Sequence, residues 1–269
     1  MRDINYNSKT RVKISIWQAV ANQKLFVLKY IPVANGYSEL HITRKLSGAG
    51  IEGVIKLDHS VQSVNGSFLF FEKEKNTIDL FEYIKTIGNM PVTPALRIVR
   101  KTVTTLLTLR EHGIIHGDVK DENILINTDT LDTKLIDFGA CVVLPNKNSA
   151  ILPLSEGSRS TRIYLPPEFH RPMGKHFDAD AATVWAIGSM LCSLIYRNIP
   201  YDTVEEMLFV GSEEKIESLL RQPLECEDCL KEQVNGLIKQ CLLPLSSRIL
   251  FSHLLNHVSF KQLDFGNKM

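Results

Sequence analysis

Cysteine is scarce in this sequence. The chain has only five cysteines among 269 residues. Small secreted domains that depend on disulfides carry more cysteines for their length, in even numbers, so we expect free thiols in a reducing compartment. Cys226 and Cys229 have the C-x-x-C spacing, but no second pair or histidine cluster completes four ligands. This pair therefore reads as a loop or helix start.

Long hydrophobic runs and an excess charge are also missing. The N-terminal "MRDINYNSKTRVKISI" is too polar for a signal peptide, and no stretch approaches the ~18 uninterrupted apolar residues of a membrane span. Lys plus Arg (31) nearly balance Asp plus Glu (30), giving a net charge of +1. Nothing here attracts nucleic acid or an anionic membrane. We expect an intracellular monomer, cytoplasmic and able to enter the nucleus, that binds neither.

The apolar pattern changes character along the chain. Up to about residue 73 it predicts strands, beginning with the alternation of Val12, Ile14 and Ile16 in a hairpin that reaches Tyr30. A helix is predicted within "SELHITRKLSGAG", ending at its glycines, and strands within "GVIKLDHSV" and "SFLFFEKE". After a cap at Asn76 or Thr77, helical periodicity dominates, for example in "AATVWAIGSMLCSLIY" and "ILFSHLLNH". The sequence predicts an α+β fold with a small strand-rich lobe (1–73) and a larger helical lobe (74–269), joined at "EKEKN".

One stretch of the helical lobe carries side chains suited to phosphoryl transfer. "IIHGDVKDENILI" places Asp118, Lys120 and Asn123 between two apolar runs, and "KLIDFGA" places Asp137 after another. Phosphoryl transfer needs a carboxylate facing the hydroxyl, a cation near the phosphate and oxygen ligands for magnesium. Asn123 and Asp137 suit Mg²⁺, which takes few side-chain oxygens and keeps several waters. Either motif alone is weak because Asp, Asn and Gly are also turn residues, but together they favour catalysis.

These motifs resemble those of the protein kinase superfamily, H-R-D-x-K-x-x-x-N and D-F-G. The resemblance covers nearly the whole chain and implies a two-lobed kinase fold that binds ATP and Mg²⁺. It implies that Lys29, in "FVLK", holds the nucleotide phosphates, and that Glu39, in "YSELHI", pairs with Lys29. It also implies a nucleotide contact for Val12 on the first strand.

A competing enzyme class is suggested by "HGD". Small-molecule kinases related to the aminoglycoside and choline kinases share the bilobal fold and this sequence. Protein kinases are favoured by Lys120, by "STRIYLPPEF", which is similar to the segment ending in A-P-E, and by "VWAIG". Lys120 is also the residue type of Ser/Thr-specific kinases, so protein substrates phosphorylated on Ser or Thr are expected.

Within the superfamily, the chain most resembles the PIM serine/threonine kinases. "KDENILI", "KLIDFG", "TRIYLPPEF" and "AATVWAIG" are similar to motifs of that group. The resemblance implies that Thr161 lies near the catalytic Asp on the substrate-facing loop. It also implies that Glu168 pairs with Arg248 to brace the helical lobe.

Gly117 replaces the arginine that precedes the catalytic Asp in many kinases. That arginine joins a basic pocket neutralised by a phosphorylated activation loop. Without it, we expect activity that does not depend on phosphorylation of that loop. Phosphomimetic changes at Ser155, Ser158 and Ser160 are expected to leave activity within about tenfold.

The glycine-rich loop of kinases is absent. The residues expected there, "INYNSKT" from Ile4 to Thr10, contain no glycine, although close backbone approach to phosphates favours glycine. This supports an alternative, a pseudokinase acting as a binding or scaffold module. The hinge "EKEKN" lacks the proline of PIM kinases, so every N–H is expected to be available, and adenine is expected to bind the backbone from Glu72 to Glu74.

Two acidic residues suggest a substrate preference. Asp79 and Glu122 match positions that receive substrate arginines in PIM-like and other basophilic kinases. Carboxylates pair with guanidinium groups in a bidentate fashion, which selects Arg over Lys. The alternative is a solvated Asp at a helix start beside a surface Glu.

Overall fold

The computed structural model describes residues 3–4, 16–21, 24–88, 90–208 and 212–265. Val12 and residues 5–10 of the glycine-free segment lie outside the described residues, so the predictions for them remain predictions.

The N-terminal lobe contains a five-stranded antiparallel sheet in the order β1-β2-β3-β5-β4. Its strands are β1 (Asp3–Ile4), β2 (Ile16–Ala21), β3 (Lys24–Pro32), β4 (His59–Ser63) and β5 (Gly66–Glu72). Helix α1 (Val33–Ala49) packs against β3 and β5. The predicted hairpin is confirmed from residue 16 onwards, and β5 ends one residue before the predicted lobe boundary.

Two boundaries in this lobe differ from the predictions. Helix α1 ends as predicted, because Gly50 adopts a left-handed φ of 62° that stops the helix, but it begins at Val33 rather than near Ser38. "GVIKL" is not a strand; Val54 forms only an isolated parallel bridge to Leu135. Val54 is buried in the core, so its apolar character reflects packing rather than sheet pairing.

The C-terminal lobe is built mainly from helices. They are α2 (Leu80–Ile87), α3 (Val92–Glu111), α4 (Pro167–His170), α5 (Ala179–Tyr196), α6 (Val204–Met207), α7 (Ser212–Leu220), α8 (Asp228–Cys241) and α9 (Val258–Phe265). Its short strands are β6 (Thr77–Asp79), β7 (Ile114–Ile115), β8 (Ile124–Asn127), β9 (Thr133–Leu135), β10 (Val142–Val143), β11 (Ile151–Pro153) and β12 (His176–Asp178). Strands β6, β8 and β9 form one small sheet beneath the cleft.

Two sequence predictions in this lobe were wrong. Neither Asn76 nor Thr77 caps a helix: Asn76 adopts a φ of 55° and Thr77 begins β6. Asp79 caps α2 instead, its carboxylate accepting the Glu82 N–H at 2.9 Å. The "ILFSHLLNH" segment forms a 3₁₀ helix over Phe251–Asn256 rather than an α-helix.

Helix α5 runs through the core of the lobe. It is long and apolar enough to cross a membrane by length and composition, but 83% of it is buried inside the fold. It packs against α3 and α8. Its apolar surface is therefore satisfied by the protein itself, as in the core helix of a globular lobe.

Candidate active site

Asp118 lies in the loop between β7 and β8. Its Oδ1 accepts the Thr161 N–H at 2.6 Å, and its Oδ2 accepts the Asn123 Nδ2–H at 2.8 Å. The Lys120 ammonium lies 3.6 Å from the same Oδ2. The carboxylate is thus held from both sides while Lys120 stays beside it.

Lys120 connects Asp118 to the substrate-facing loop. Its Nζ donates a hydrogen bond to the Thr161 Oγ1 at 2.9 Å. The structure therefore brings together Asp118, Lys120 and Thr161, as the sequence predicts, although Thr161 is 43 residues from Asp118 along the chain.

His116 orients this loop from beneath. It is buried, its Nε2–H donates to the Ile136 carbonyl at 3.1 Å, and its Nδ1 accepts the Asp118 N–H at 3.3 Å. Burial lowers the pKa of His116, which keeps the ring neutral and able to accept at Nδ1. The His of "HGD" is therefore a positioning residue that links Asp118 to the strand end before Asp137.

The glycine of "HGD" has a steric reason. Gly117 adopts a φ of +81°, and a Cβ there would lie 2.3 Å from the Ala140 carbonyl oxygen. Real side chains do not fit that distance, and residues other than glycine rarely adopt that φ. The catalytic loop and the segment after Asp137 approach each other closely because residue 117 has no side chain.

Lys29 occupies the cleft between two carboxylates. Its Nζ lies 2.5 Å from the Glu39 Oε1 and 2.9 Å from the Asp137 Oδ1, so the predicted pair with Glu39 is present. Burial acts to lower the pKa of Lys29, but the charges of Asp137 and Glu39 outweigh it and hold that pKa above its usual value. Burial raises the pKa of Glu39 against the opposing charge of Lys29. Lys29 is thus a fixed cation that joins α1 to the segment beginning at Asp137.

Asp137 is held in an unusual backbone conformation. Its φ is +61°, uncommon for any residue but glycine, and its Oδ1 accepts the Gly139 N–H at 3.1 Å. Burial alone would raise the pKa of Asp137, but the charge and hydrogen bond of Lys29 lower it. The carboxylate is therefore ionised and faces the Lys29 ammonium.

The oxygens of Asn123 and Asp137 fit a magnesium ion. The Asn123 Nδ2 donates to both the backbone oxygen (2.7 Å) and the side chain of Asp118, which leaves its amide oxygen as the free ligand atom. A carboxylate and an amide oxygen are the hard ligands that Mg²⁺ prefers. The residues present therefore fit the ion.

The predicted hinge needs one correction. The Lys73 N–H donates to the Leu25 carbonyl at 2.7 Å, so it is already used inside the lobe and is not available to a nucleotide. The expectation that every N–H of "EKEKN" is available was wrong at this position. The Glu74 carboxylate pairs with Lys134 on β9, which ties the hinge to the C-terminal lobe.

Asp79 and Glu122 lie on neighbouring elements. Asp79 ends β6, which pairs with β8, and α2 packs against the 3₁₀ turn of Asp121–Asn123 that contains Glu122. Asp79 is partly committed to the α2 cap. The Glu122 Oε2 is buried and accepts no hydrogen bond from the described residues. Burial, with the neighbouring Asp121 carboxyl, raises the pKa of Glu122 to about 7.

The brace predicted in the helical lobe is present. Arg248 Nη1 and Nη2 donate to the two carboxylate oxygens of Glu168 at 2.6 and 3.1 Å. Arg248 also donates to the carbonyls of Ala181 and Leu243, and its guanidinium lies 5.0 Å from the Trp185 ring centre. These contacts fix α4 and α5 to the loop before the C-terminal helices.

Sequence reasoning missed a second anchor of the catalytic loop. Asp121 is buried and accepts hydrogen bonds from the Tyr164 hydroxyl at 3.1 Å and the Ser193 hydroxyl at 2.8 Å. An Asp between Lys120 and Glu122 looks like one more surface charge in the sequence. Nothing in its spacing indicates that it joins the loop to α5.

A strand-rich lobe with a buried Lys–Glu pair, above a helical lobe that carries Asp118, Lys120, Asn123 and Asp137, defines a phosphotransferase of the protein kinase fold. The sequence comparison agrees. The chain belongs to the protein kinase domain family, whose profile matches residues 12–260.

The relatives are serine/threonine-protein kinases. The chain is 30% identical over 180 residues to serine/threonine-protein kinase pim-2 of Danio rerio, covering 64% of this chain and 54% of that protein. It is 28% identical to serine/threonine-protein kinase prk-2 of Caenorhabditis elegans, covering 79% and 45%. It is 27% identical to serine/threonine-protein kinase 1 of African swine fever virus, covering 78% and 64%. The matches thus span about half the length of the first two relatives.

Membership of this family favours protein kinases over the small-molecule kinases that "HGD" suggested, and the similarity to the PIM group agrees with the motifs.

Proposed function

We propose that this chain transfers the γ-phosphoryl group of ATP to serine or threonine hydroxyls of proteins. The observation that carries the proposal is the convergence on Asp118: its carboxylate is fixed by Thr161 and Asn123, with Lys120 alongside. A carboxylate in this position accepts the hydroxyl proton, and Lys120 stabilises charge on the transferring phosphate. Lys29, held by Glu39, would bind the nucleotide phosphates.

Magnesium would supply charge neutralisation when bound, held by Asn123 and Asp137. Lys29 contacts Asp137 in the described arrangement, so it must share its donors between that carboxylate and incoming phosphates. The backbone around Glu72 and Glu74 remains our proposed adenine contact, without the Lys73 N–H.

The test is magnesium-dependent transfer of labelled γ-phosphate to serine peptides, with the Asp118→Asn variant as control. We expect turnover of about 1–100 s⁻¹, as is typical of kinases, and a loss of about 100-fold or more in the variant because the proton acceptor is gone. Asn has nearly the same size as Asp, and its amide oxygen can still accept the Thr161 N–H. Folded protein that transfers no more phosphate than the variant would reject this function.

A pseudokinase is the second candidate, and one observation favours it: the sequence contains no glycine before Gly36. A glycine-free connection between β1 and β2 would obstruct backbone contacts to phosphates. This candidate would be supported if correctly folded protein bound nucleotide without transferring phosphate, or if it did neither.

We also propose that substrates carry arginine upstream of the phosphorylated residue. Support comes from two acidic side chains on neighbouring elements: Glu122, which is partly exposed in the 3₁₀ turn after Lys120, and Asp79 at the end of β6. A guanidinium of the substrate would pair with a carboxylate of this acidic pair.

Glu122→Gln is expected to raise the KM for an Arg-containing serine peptide about tenfold, equivalent to about 1.4 kcal/mol, with kcat unchanged. The matched Lys peptide should be affected much less. Glu82→Gln is the control, because Glu82 is a nearby acidic residue whose carboxylate is paired with the exposed Lys85. Equal KM values for Arg and Lys peptides with the unaltered protein would contradict the preference.

A further inference from the structure

The chain between Asp137 and α4, the activation segment of the kinase fold, supplies an arginine to the backbone that follows Asp137. Arg159 ends a 3₁₀ helix (Leu154–Arg159), and its Nη1 donates to the Gly139 carbonyl at 2.8 Å. Its Nη2 donates to the Cys141 carbonyl at 3.2 Å. Both carbonyls belong to the backbone that directly follows Asp137.

The same backbone also contacts Gly117 of the catalytic loop. The carbonyl between Arg159's two acceptors belongs to Ala140, and it is this oxygen that approaches Gly117 too closely for a Cβ. The segment 139–141 therefore packs against the catalytic loop at one carbonyl and accepts hydrogen bonds from Arg159 at the two flanking ones. Gly117 and Arg159 thus contact the same three-residue segment.

Neighbouring residues hold Arg159 in register. Gly157 lies against Phe169, where a Cβ would be 2.4 Å from the ring, and the Thr161 N–H bonds Asp118. Arg159 lies between these anchors. Its acceptors are neutral carbonyls, and its guanidinium also pairs with the Glu156 carboxylate at 3.7 Å. None of these contacts requires a phosphorylated residue.

We infer that Arg159 is a positioning residue that holds the Asp137–Cys141 backbone in the metal-binding conformation, and that it replaces a phosphorylation-dependent basic pocket. The planar guanidinium suits two parallel acceptors, which a lysine ammonium could not bind in the same fork. The catalytic consequence rests on the proposed function, but the conformational one does not.

Hydrogen–deuterium exchange tests the conformational part without any activity. The amides of Gly139 and Cys141 are hydrogen-bonded to Asp137 Oδ1 and the Phe138 carbonyl, so their exchange reports local opening. Arg159→Ala is expected to accelerate exchange in a peptide covering residues 137–143 about tenfold, and Arg159→Lys by a smaller factor. Arg171→Ala, which removes an exposed charge from the nearby α4 end, should leave it unchanged. Equal exchange in Arg159→Ala and Arg171→Ala would overturn the inference.

Steady-state kinetics test the catalytic part. Arg159→Ala should raise the KM for Mg·ATP and lower kcat about tenfold, while the KM for peptide stays within twofold. Phosphatase treatment of the unaltered protein should leave kcat unchanged. A tenfold loss on dephosphorylation would contradict the replacement of the phosphorylation switch. If the unaltered protein transfers no phosphate, the proposed function fails, whereas the exchange experiment still decides the role of Arg159.

Discussion

Arg248→Ala is expected to destabilise the protein by about 3–5 kcal/mol, the range typical when one partner of a buried ion pair is removed. The Arg248 side chain is only 1% exposed and donates to Glu168 and to two backbone carbonyls. Its removal leaves the Glu168 carboxylate without its guanidinium partner and opens a space beside Trp185. Urea unfolding, followed by far-UV circular dichroism, should show a midpoint well below that of the unaltered protein.

Two controls make this result specific. Lys239→Ala breaks an ion pair with Glu217 in which both side chains are nearly half exposed, and should cost no more than about 1 kcal/mol. Arg248→Lys keeps the charge but loses the paired N–H donors of the guanidinium, so its loss of stability should lie between those of Arg248→Ala and Lys239→Ala. If Arg248→Ala unfolded at the same urea concentration as Lys239→Ala, the brace would not stabilise the lobe.

Lys29→Met is expected to reduce phosphotransfer by about 100-fold or more, the scale seen when one charge-stabilising donor is removed from an active site. The variant loses the cation that we propose for the nucleotide phosphates, and the link between Glu39 and Asp137. The measurement is initial-rate transfer to a serine peptide over a range of Mg·ATP concentrations.

Folding and catalysis can be separated at this position. Lys29→Arg keeps a cation between the two carboxylates, so it should be more stable than Lys29→Met. It should still lose activity, because the N–H donors of the guanidinium lie in different places from those of the ammonium. Lys45→Met removes an exposed charge from α1 in the same lobe and should retain full activity. Transfer by Lys29→Met within threefold of the unaltered rate would rule out a role for this lysine in nucleotide handling.

Much of this site follows from short-range patterns in the sequence. Asp118, Asn123 and Asp137 each stand near an apolar strand, and Asn123 and Asp137 flank the paired strands β8 and β9. The sheet-then-helix order of the fold was also predictable, because periodicities of two and 3.6 differ clearly over long segments. The end of α1 was predictable because Gly50 supplies a left-handed residue.

The features that the sequence did not predict have one physical cause: they depend on contacts between residues that are far apart in the sequence. The N-terminal cap of α2 depends on which of several polar residues lies at the end of β6, and Asp79 does so because β6 pairs with β8. Asp121 and Arg159 acquire their roles from partners 43–72 and 18–20 residues away, respectively. Isolated charges in a loop carry no periodicity from which such partners could be read.

Gly117 lies against the Ala140 carbonyl, so the effect of a substitution at position 117 depends on the residues of the segment that it contacts. An arginine introduced at position 117 alone would meet the Ala140 oxygen before its guanidinium reached any phosphate. A variant of this chain that gains a phosphorylation switch therefore needs at least two coordinated changes, one in each loop. A single substitution at position 117 would distort the catalytic loop. Regulation by phosphorylation of the activation loop therefore cannot arise in this chain from one mutation at that position.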